Sequence, residues 1–197
     1  MTSRYTLTIV EGLVGVTPRY NIAHGQTAPV ETRAGLVELR WGVLSPWQGH
    51  GGKRRSPVHT ATMADIEALP HLRSARDKKR CLVLADGFFA WRRTDKKSQP
   101  YWIHVGQRVA FAGVMAEHRD DRIASFALVM MPAPSAIAAI TPEIPAVVDA
   151  RWLAAPALVP VEPAWRIDAV GKHVDDPTND DPACVAPLGN PAQGELF

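Results

Sequence analysis

Apolar and polar residues alternate at the start of the chain, with Tyr5, Leu7 and Ile9 interleaved with Thr6, Thr8 and Val10, and this period-2 pattern predicts a strand over residues 4–10. Residues 19–23, Arg-Tyr-Asn-Ile-Ala, then run into a His24-Gly25 turn. Residues 30–33 and 36–43 flank Ala34-Gly35 and read as a hairpin. Its second arm places Val37, Leu39, Trp41 and Val43 on one face and Glu38 and Arg40 on the other. Residues 81–84, Cys-Leu-Val-Leu, are a continuous apolar run of buried-strand length. Asp86-Gly87 follows, the composition of a sharp reversal, and then the bulky cluster Phe88, Phe89 and Trp91. That order predicts a hairpin turning at Asp86-Gly87. A further pair, residues 100–105 and 108–115, is expected to turn at Gly106-Gln107, and residues 124–131 supply another strand.

Helical signals are few. Residues 62–79 are mixed, with Pro70 dividing two short helical pieces, and Thr62-Met63-Ala64-Asp65 matches a capping box. The alanine-rich stretch 134–140 reads as helix, and Asp149 is placed to cap a short helix through Leu153. Neither an internal repeat nor a linker is visible. One domain is expected over residues 1–190, with residues 191–197 a frayed tail.

Composition narrows the class. At 197 residues, 46% hydrophobic and 21% charged, the chain suits a single globular core. It has no apolar run near the roughly 20 residues needed to span a bilayer. Its start lacks the basic-then-apolar layout of a secretory signal, so a cytoplasmic protein is expected. The two cysteines, Cys81 and Cys184, have no zinc spacing and form no disulfide framework; free thiols, no metal and no cofactor are the expectation. Cys81, which begins an apolar strand, is expected to be structural. The net charge of +2 does not by itself announce nucleic acid, but its distribution is uneven. Basic clusters occur at Lys53-Arg54-Arg55, Lys78-Lys79-Arg80 and Arg92-Arg93, and acidic pairs at Asp175-Asp176 and Asp180-Asp181.

The stretch Arg80-Cys81-Leu82-Val83-Leu84-Ala85-Asp86-Gly87-Phe88-Phe89-Ala90-Trp91 resembles the hallmark of the SOS response-associated peptidase (SRAP) family, R-C-L-(V/I)-P-A-D-G-(F/W)-(Y/F)-E-W. Other segments resemble the same family. They are Met1-Thr2-Ser3-Arg4-Tyr5-Thr6-Leu7-Thr8, Arg19-Tyr20-Asn21-Ile22-Ala23, Trp41-Gly42-Val43-Leu44-Ser45-Pro46-Trp47 and Ile144-Pro145-Ala146-Val147-Val148. Residues 170–174 and 179–182 resemble its closing segment. The implied fold is α+β: a single SRAP-like domain, mainly antiparallel strands curled into a distorted barrel with short helices.

The resemblance also implies a chemistry. SRAP proteins join covalently to abasic sites in single-stranded DNA. An N-terminal cysteine freed of its methionine condenses through its amine with the sugar aldehyde, and its thiol closes a thiazolidine. An asparagine orients the sugar, a glutamate and a histidine move protons, and arginines hold phosphates. Here Thr2 stands at the nucleophile position, and Ala90 replaces the glutamate. Counting back from Cys81 without gaps puts Thr60 at the asparagine and Thr62 at an arginine, while Thr141 stands for the histidine and Glu143 for a DNA-contacting arginine. His24 replaces a family proline, and His59 lies one residue before the asparagine position.

Removal of Met1 would still expose an amine at Thr2, with a reference pKa of about 7.7–8.0, but an oxazolidine closed by its hydroxyl would hydrolyse readily. The resemblance therefore implies a protein whose cross-linking chemistry is lost and whose remaining activity is DNA binding. Arg4, Asn21 and Trp47 are the candidate DNA contacts, together with positions 62 and 143, and single-stranded or abasic-site DNA is the expected partner of a monomer. The alternatives are an enzyme using the Thr2 amine, as a Schiff-base lyase or in peptidase-like autoprocessing, and a scaffold without nucleic acid. Thr2 and Ala90 are expected to lie within one shallow groove, with Thr60 and Thr141 close by.

Overall fold

The structure is a computed structural model that describes residues 3–43, 57–68, 72, 79–95, 97–117, 124–154 and 157–189. Thr2, Trp47, the basic loop at 48–56 and the expected tail at 191–197 lie outside the described residues.

The strands are β1 (Arg4–Leu7), β2 (Arg19–Ala23), β3 (Thr27–Thr32), β4 (Gly35–Trp41), β5 (Thr60–Thr62), β6 (Arg80–Arg93), β7 (Ser98–Glu117), β8 (Ala124–Pro132), β9 (Glu143–Pro145), β10 (Val147–Val148) and β11 (Arg166–Ala169). Strands β7, β8, β4, β3 and β6 pair in that order, and β6 pairs back onto β7, closing a five-stranded barrel. It is mixed because β4 meets β8 in parallel, as β5 also does. The remaining strands extend the sheet: β1 and β2 beyond β6, β10 and β11 on β7, β5 and β9 on β8. The helices are short, α1 (Met63–Ala68) and α2 (Ser135–Ala138), with 3₁₀ turns at Ala150–Leu153, Lys172–Asp175 and Pro182–Val185. This is the α+β, barrel-like architecture that the sequence implied.

The core follows the alternation. Tyr5, Leu7, Leu39, Trp41, Phe88, Phe111 and Phe126 point inward and are buried, with Trp41 stacked on Phe126 and set edge-on to Tyr5. Asp149 caps its 3₁₀ turn by accepting from the Arg151 amide at 2.9 Å, and Thr62 and Asp65 complete the capping box at the start of α1. Cys81 is fully buried, and burial pushes its thiol well above the ordinary range.

Three expectations are corrected. Asp86-Gly87 is not a turn: β6 runs straight through it, paired with β7 on both sides of a register shift between Ala85 and Gly87. Gly87 is needed for space. A Cβ there would come within 2.6 Å of Trp102 Nε1 and 2.7 Å of His104 Cβ. The two strands expected around Gly106-Gln107 are one long strand, β7, bent where Gly106 takes a φ of 75°. The reversal lies instead at the far end of β6, where the Thr94 amide donates to the Lys97 carbonyl at 2.9 Å. Finally, β1 stops at Leu7 because Asp86 takes the next amides. Its Oδ2 accepts from Thr8 N at 2.5 Å and Ile9 N at 2.8 Å, which turns the chain off the sheet.

Candidate functional site

β1 and β6 run antiparallel, with Tyr5 opposite Phe88 and Thr6 opposite Gly87, and this pairing sets the start of β1 beside Ala90. A groove of about 700 Å³ opens there. Ser3 and Arg4 form one side; Ala90, Trp91 and Arg93 of β6 and Ser98 of β7 form the floor. Ile140, Thr141 and Pro142, after α2, and Asp175 complete the wall.

Two networks of buried polar groups hold this geometry. Under β1, Asp86 is 1% exposed and accepts from Thr6 Oγ1 at 2.5 Å and Thr8 Oγ1 at 2.7 Å in addition to the two amides, while Trp102 Nε1 donates to Thr6 Oγ1 at 3.1 Å. Across the groove, the two 3₁₀ turns at Lys172–Asp175 and Pro182–Val185 form a cap clamped to β2. Asp180 Oδ1 accepts from Tyr20 N at 2.5 Å and Asn21 N at 2.8 Å, and its Oδ2 pairs with Arg19 Nε. Asn21 is fully buried, and its amide donates to cap carbonyls, at 2.8 Å to Asn179 and 3.0 Å to Asp176. Asn21 thus holds the cap through its amide nitrogen, while its Oδ1 is buried without a partner.

The cap brings Asp175 to the groove, where its Oδ1 accepts from Trp91 Nε1 at 2.7 Å and its carbonyl accepts from Arg4 at 3.3 Å. Burial pulls the Arg4 guanidinium below its ordinary value, opposed by Asp175 and Asp176, and its Nε is buried without a partner. Arginine remains a cation under such shifts. The groove thus presents Arg4 and Arg93 as cations, Trp91 as an aromatic edge and Asp175 as the countercharge.

Among the four positions that the resemblance assigns to catalysis, Ala90 and Thr141 share this groove. Ala90 is 4% exposed and contributes a methyl group. Thr141 is also 4% exposed, and its hydroxyl donates to the Glu143 carbonyl at 3.0 Å. Thr60, on β5 opposite Leu128, does not line the groove. Nor does Thr62, whose hydroxyl donates to Asp65 in the α1 cap. Glu143 is half-buried on β9, opposite Pro132, and also lies off the lining.

Beyond these positions, His24 and His59 stack with ring centroids 4.8 Å apart, edge-on to Trp41. Because Arg4 pairs with Ala23, this stack stands next to the strand pair that begins β1. Burial, and then the neighbouring His24, hold His59 below its ordinary value, so that it is neutral near pH 7.

The sequence reading missed Trp91, Arg93 and Asp175 as groove residues. Trp91 and Arg93 were visible as an aromatic and a basic cluster on the hallmark strand. Asp175 had no local signal, since it meets Arg4 across 171 positions of sequence.

The sequence profile of the SOS response associated peptidase (SRAP) family matches residues 4–161. The chain belongs to this family. Its curated SRAP relatives include YoaM of Bacillus subtilis, named an abasic site processing protein, which is 32% identical over 100 residues covering 48% of this chain and 44% of YoaM. HMCES of Xenopus tropicalis, with the same descriptive name, is 29% identical over 90 residues, 44% of this chain and 27% of that protein. HMCES of Gallus gallus is 22% identical over 197 residues, 78% and 57% of the respective chains. The chain therefore spans less than two thirds of the length of each. A solved structure from Bacteroides thetaiotaomicron superposes with a TM-score of 0.69 at 20% identity, covering 85% of this chain and 84% of that one. A structure from Bordetella bronchiseptica gives 0.70 at 17%, covering 86% and 99%. These two neighbours share the SRAP barrel.

Proposed function

We propose that this chain binds abasic sites in single-stranded DNA in the groove between β1, β6 and the cap, and that it does so without forming a durable cross-link. Family membership and the relatives' descriptive name support the ligand class. The observation that carries the rest is the content of the groove. Cations and an aromatic edge remain at Arg4, Arg93 and Trp91, while Ala90 and Thr141 offer a methyl group and a hydroxyl already committed to a carbonyl. Such a site can hold a phosphate and stack a base, but it has no carboxylate or imidazole at those two positions to move protons. Trp47, Thr62 and Glu143 enter this reading from the family register alone, the last as a charge that would repel phosphate. Two buried free thiols suit a reducing cytoplasm, and a monomer suffices for the groove.

The test is fluorescence anisotropy with single-stranded oligonucleotides, intact and abasic, at several salt concentrations, followed by a denaturing gel. Binding that prefers the abasic strand and weakens with salt, leaving no heat-stable adduct, is expected. A robust heat-stable adduct would overturn the pseudoenzyme reading. Absence of binding at low salt would leave the scaffold alternative.

A second reading has one observation in its favour. Neutral His59 is stacked on His24 next to the strand pair that begins β1, and a neutral imidazole can act as a base in imine formation, which favours a transient Schiff base at Thr2. Borohydride trapping on an abasic oligonucleotide tests it: a trapped adduct lost on acetylation of the terminal amine supports the lyase alternative.

A further inference from the structure

The cap contains a cluster that the groove does not use. His173 lies in the 3₁₀ turn Lys172–Asp175, Cys184 in the turn Pro182–Val185, and Asp181 caps the second turn. One imidazole nitrogen, one carboxylate oxygen and the thiol sulfur of these residues all lie within 4.8 Å of one another. The arrangement is graded by depth. Cys184 is fully buried, whereas the side chains of His173 and Asp181 are 40% and 50% exposed, so the thiol lies deepest and the imidazole and carboxylate reach solvent.

Capping explains only part of this cluster. Asp181 satisfies the second turn with Oδ1 alone, which accepts from Ala183 N at 2.8 Å. Its Oδ2 is turned instead to His173 Nε2, at 2.9 Å. The ring is further fixed by Asn179, whose amide contacts His173 Nδ1 at 3.2 Å and donates to the His173 carbonyl at 2.8 Å. Because that amide is a donor, Nδ1 accepts and Nε2 carries the proton shared with Asp181, so a metal at Nε2 would displace this proton and the imidazole would turn off Asn179. The thiol's contact, the Asn179 carbonyl at 3.5 Å, is a weak one.

We infer that His173, Asp181 and Cys184 form a three-donor site for a divalent metal of the zinc type, which when filled ties the two turns of the cap together. The donor set selects the metal. Calcium and magnesium want six or more oxygens, while one sulfur, one nitrogen and one oxygen suit zinc, with a fourth position left to water. The geometry is within reach. In a tetrahedral zinc site such donors are about 3.3–3.5 Å apart, from bond lengths of about 2.0–2.3 Å. The imidazole–carboxylate pair is already close, and the remaining contraction from within 4.8 Å can be met by the two half-exposed side chains, at the cost of the Asn179 contact to Nδ1. Spacing gave no hint of the site, because the donors fall eight and three positions apart with a single cysteine among them. The consequence reaches the groove, since the same cap carries Asp175, whose carboxylate holds Trp91 and whose carbonyl meets Arg4.

The test uses the full chain without a polyhistidine tag, stripped with a chelator and titrated with Co²⁺ as a spectroscopic probe. Tetrahedral cobalt bands with a thiolate-to-cobalt charge-transfer band are expected, and equimolar Zn²⁺ should bleach both. Cys184→Ser should lose the thiolate band, while Cys81→Ala should keep it, which excludes the other thiol. His173→Ala and Asp181→Asn should each weaken cobalt binding at least about tenfold, the lower end of what even outer-shell losses cost. These two residues are exposed, so their variants keep the question open to measurement even if Cys184→Ser fails to fold. Cobalt bound without a thiolate band, a band that survives Cys184→Ser, or unchanged affinity in both exposed-site variants overturns the inference.

Discussion

Asp86→Ala should be among the most damaging single substitutions in the barrel. The carboxylate is 1% exposed and accepts four hydrogen bonds, from Thr6 Oγ1, Thr8 N, Thr8 Oγ1 and Ile9 N, at 2.5 to 2.8 Å. A hydrogen bond to a charged acceptor is worth about 1.5–3 kcal/mol, and a buried donor left without a partner costs a similar amount. The four do not add. Both hydroxyls can rotate toward other acceptors, and the Thr8 and Ile9 amides are only partly buried, so water can reach them. Counting about two bonds as lost outright gives roughly 3–5 kcal/mol, a large share of the roughly 5–15 kcal/mol that holds a domain together. Asp86→Asn keeps the shape and one acceptor oxygen and should cost less, about 1–3 kcal/mol. Urea unfolding followed by tryptophan fluorescence measures both. Hydrogen exchange adds a local readout, because the Thr8 and Ile9 amides should exchange faster in Asp86→Ala than amides of β8. A loss below about 1 kcal/mol for Asp86→Ala, with those two amides still protected, would refute the view that this carboxylate anchors the start of β1.

Cys81→Ser should lower stability by roughly 1–3 kcal/mol, since the hydroxyl would be fully buried where the thiol packs against Gly113; rapid labelling of Cys81 by a thiol reagent in the folded protein would contradict its buried placement. His59 should titrate below 6.5 by NMR, and His24→Ala should raise its value, because burial and then His24 depress it. The sign for stability follows. The unfolded chain takes up the His59 proton first, so this contribution is present above about pH 6.5 and is lost as pH falls through the depressed folded value. A His59 value at or above 6.5 would contradict the depression by burial and His24. Thr2→Cys alone should cross-link abasic DNA slowly at best, and Thr60→Asn, Ala90→Glu and Thr141→His together should help more than the sum of their separate effects, as groups that act as a unit do; a denaturing gel reads the outcome.

Much of the barrel was legible because burial on one face imposes period 2. The inward Tyr5, Leu7, Leu39 and Trp41, the β3–β4 hairpin, whose turn falls one residue early at Arg33-Ala34, and the Asp149 cap followed from local pattern and local chemistry. The misreadings share a cause, namely partners distant in sequence. Asp-Gly is turn composition, yet Asp86 is held by residues 77 to 80 positions away, and Gly87 is required by the approach of Trp102 and His104. The parallel pairing of β4 with β8, which the closed barrel needs, joins segments whose separate patterns say nothing about direction. At the site, family register brought Ala90 and Thr141 to one groove, whereas Thr60 and Thr62 sit off its lining and Asn21 belongs to the cap. Asp175 was illegible because its role depends on a cap folded back from the other end of the chain.

The groove's two walls and its contents have different physical demands. Each wall is fixed by a buried or half-buried carboxylate that collects several donors: Asp86 gathers the chain leaving β1, and Asp180 gathers β2 under the cap. Such arrangements are costly unless every donor is met, and once met they define position sharply. Proton transfer needs that same positional precision, but it also needs titratable groups inside the groove, and at Ala90 and Thr141 there are none. Binding needs less. An arginine held at the start of β1 and an indole held by Asp175 can meet a phosphate and a base whether or not a bond is made. Under the function proposed above, a groove kept in register by these networks, with cations at its edge and no acid or base at those two positions, would favour holding a strand over reacting with it.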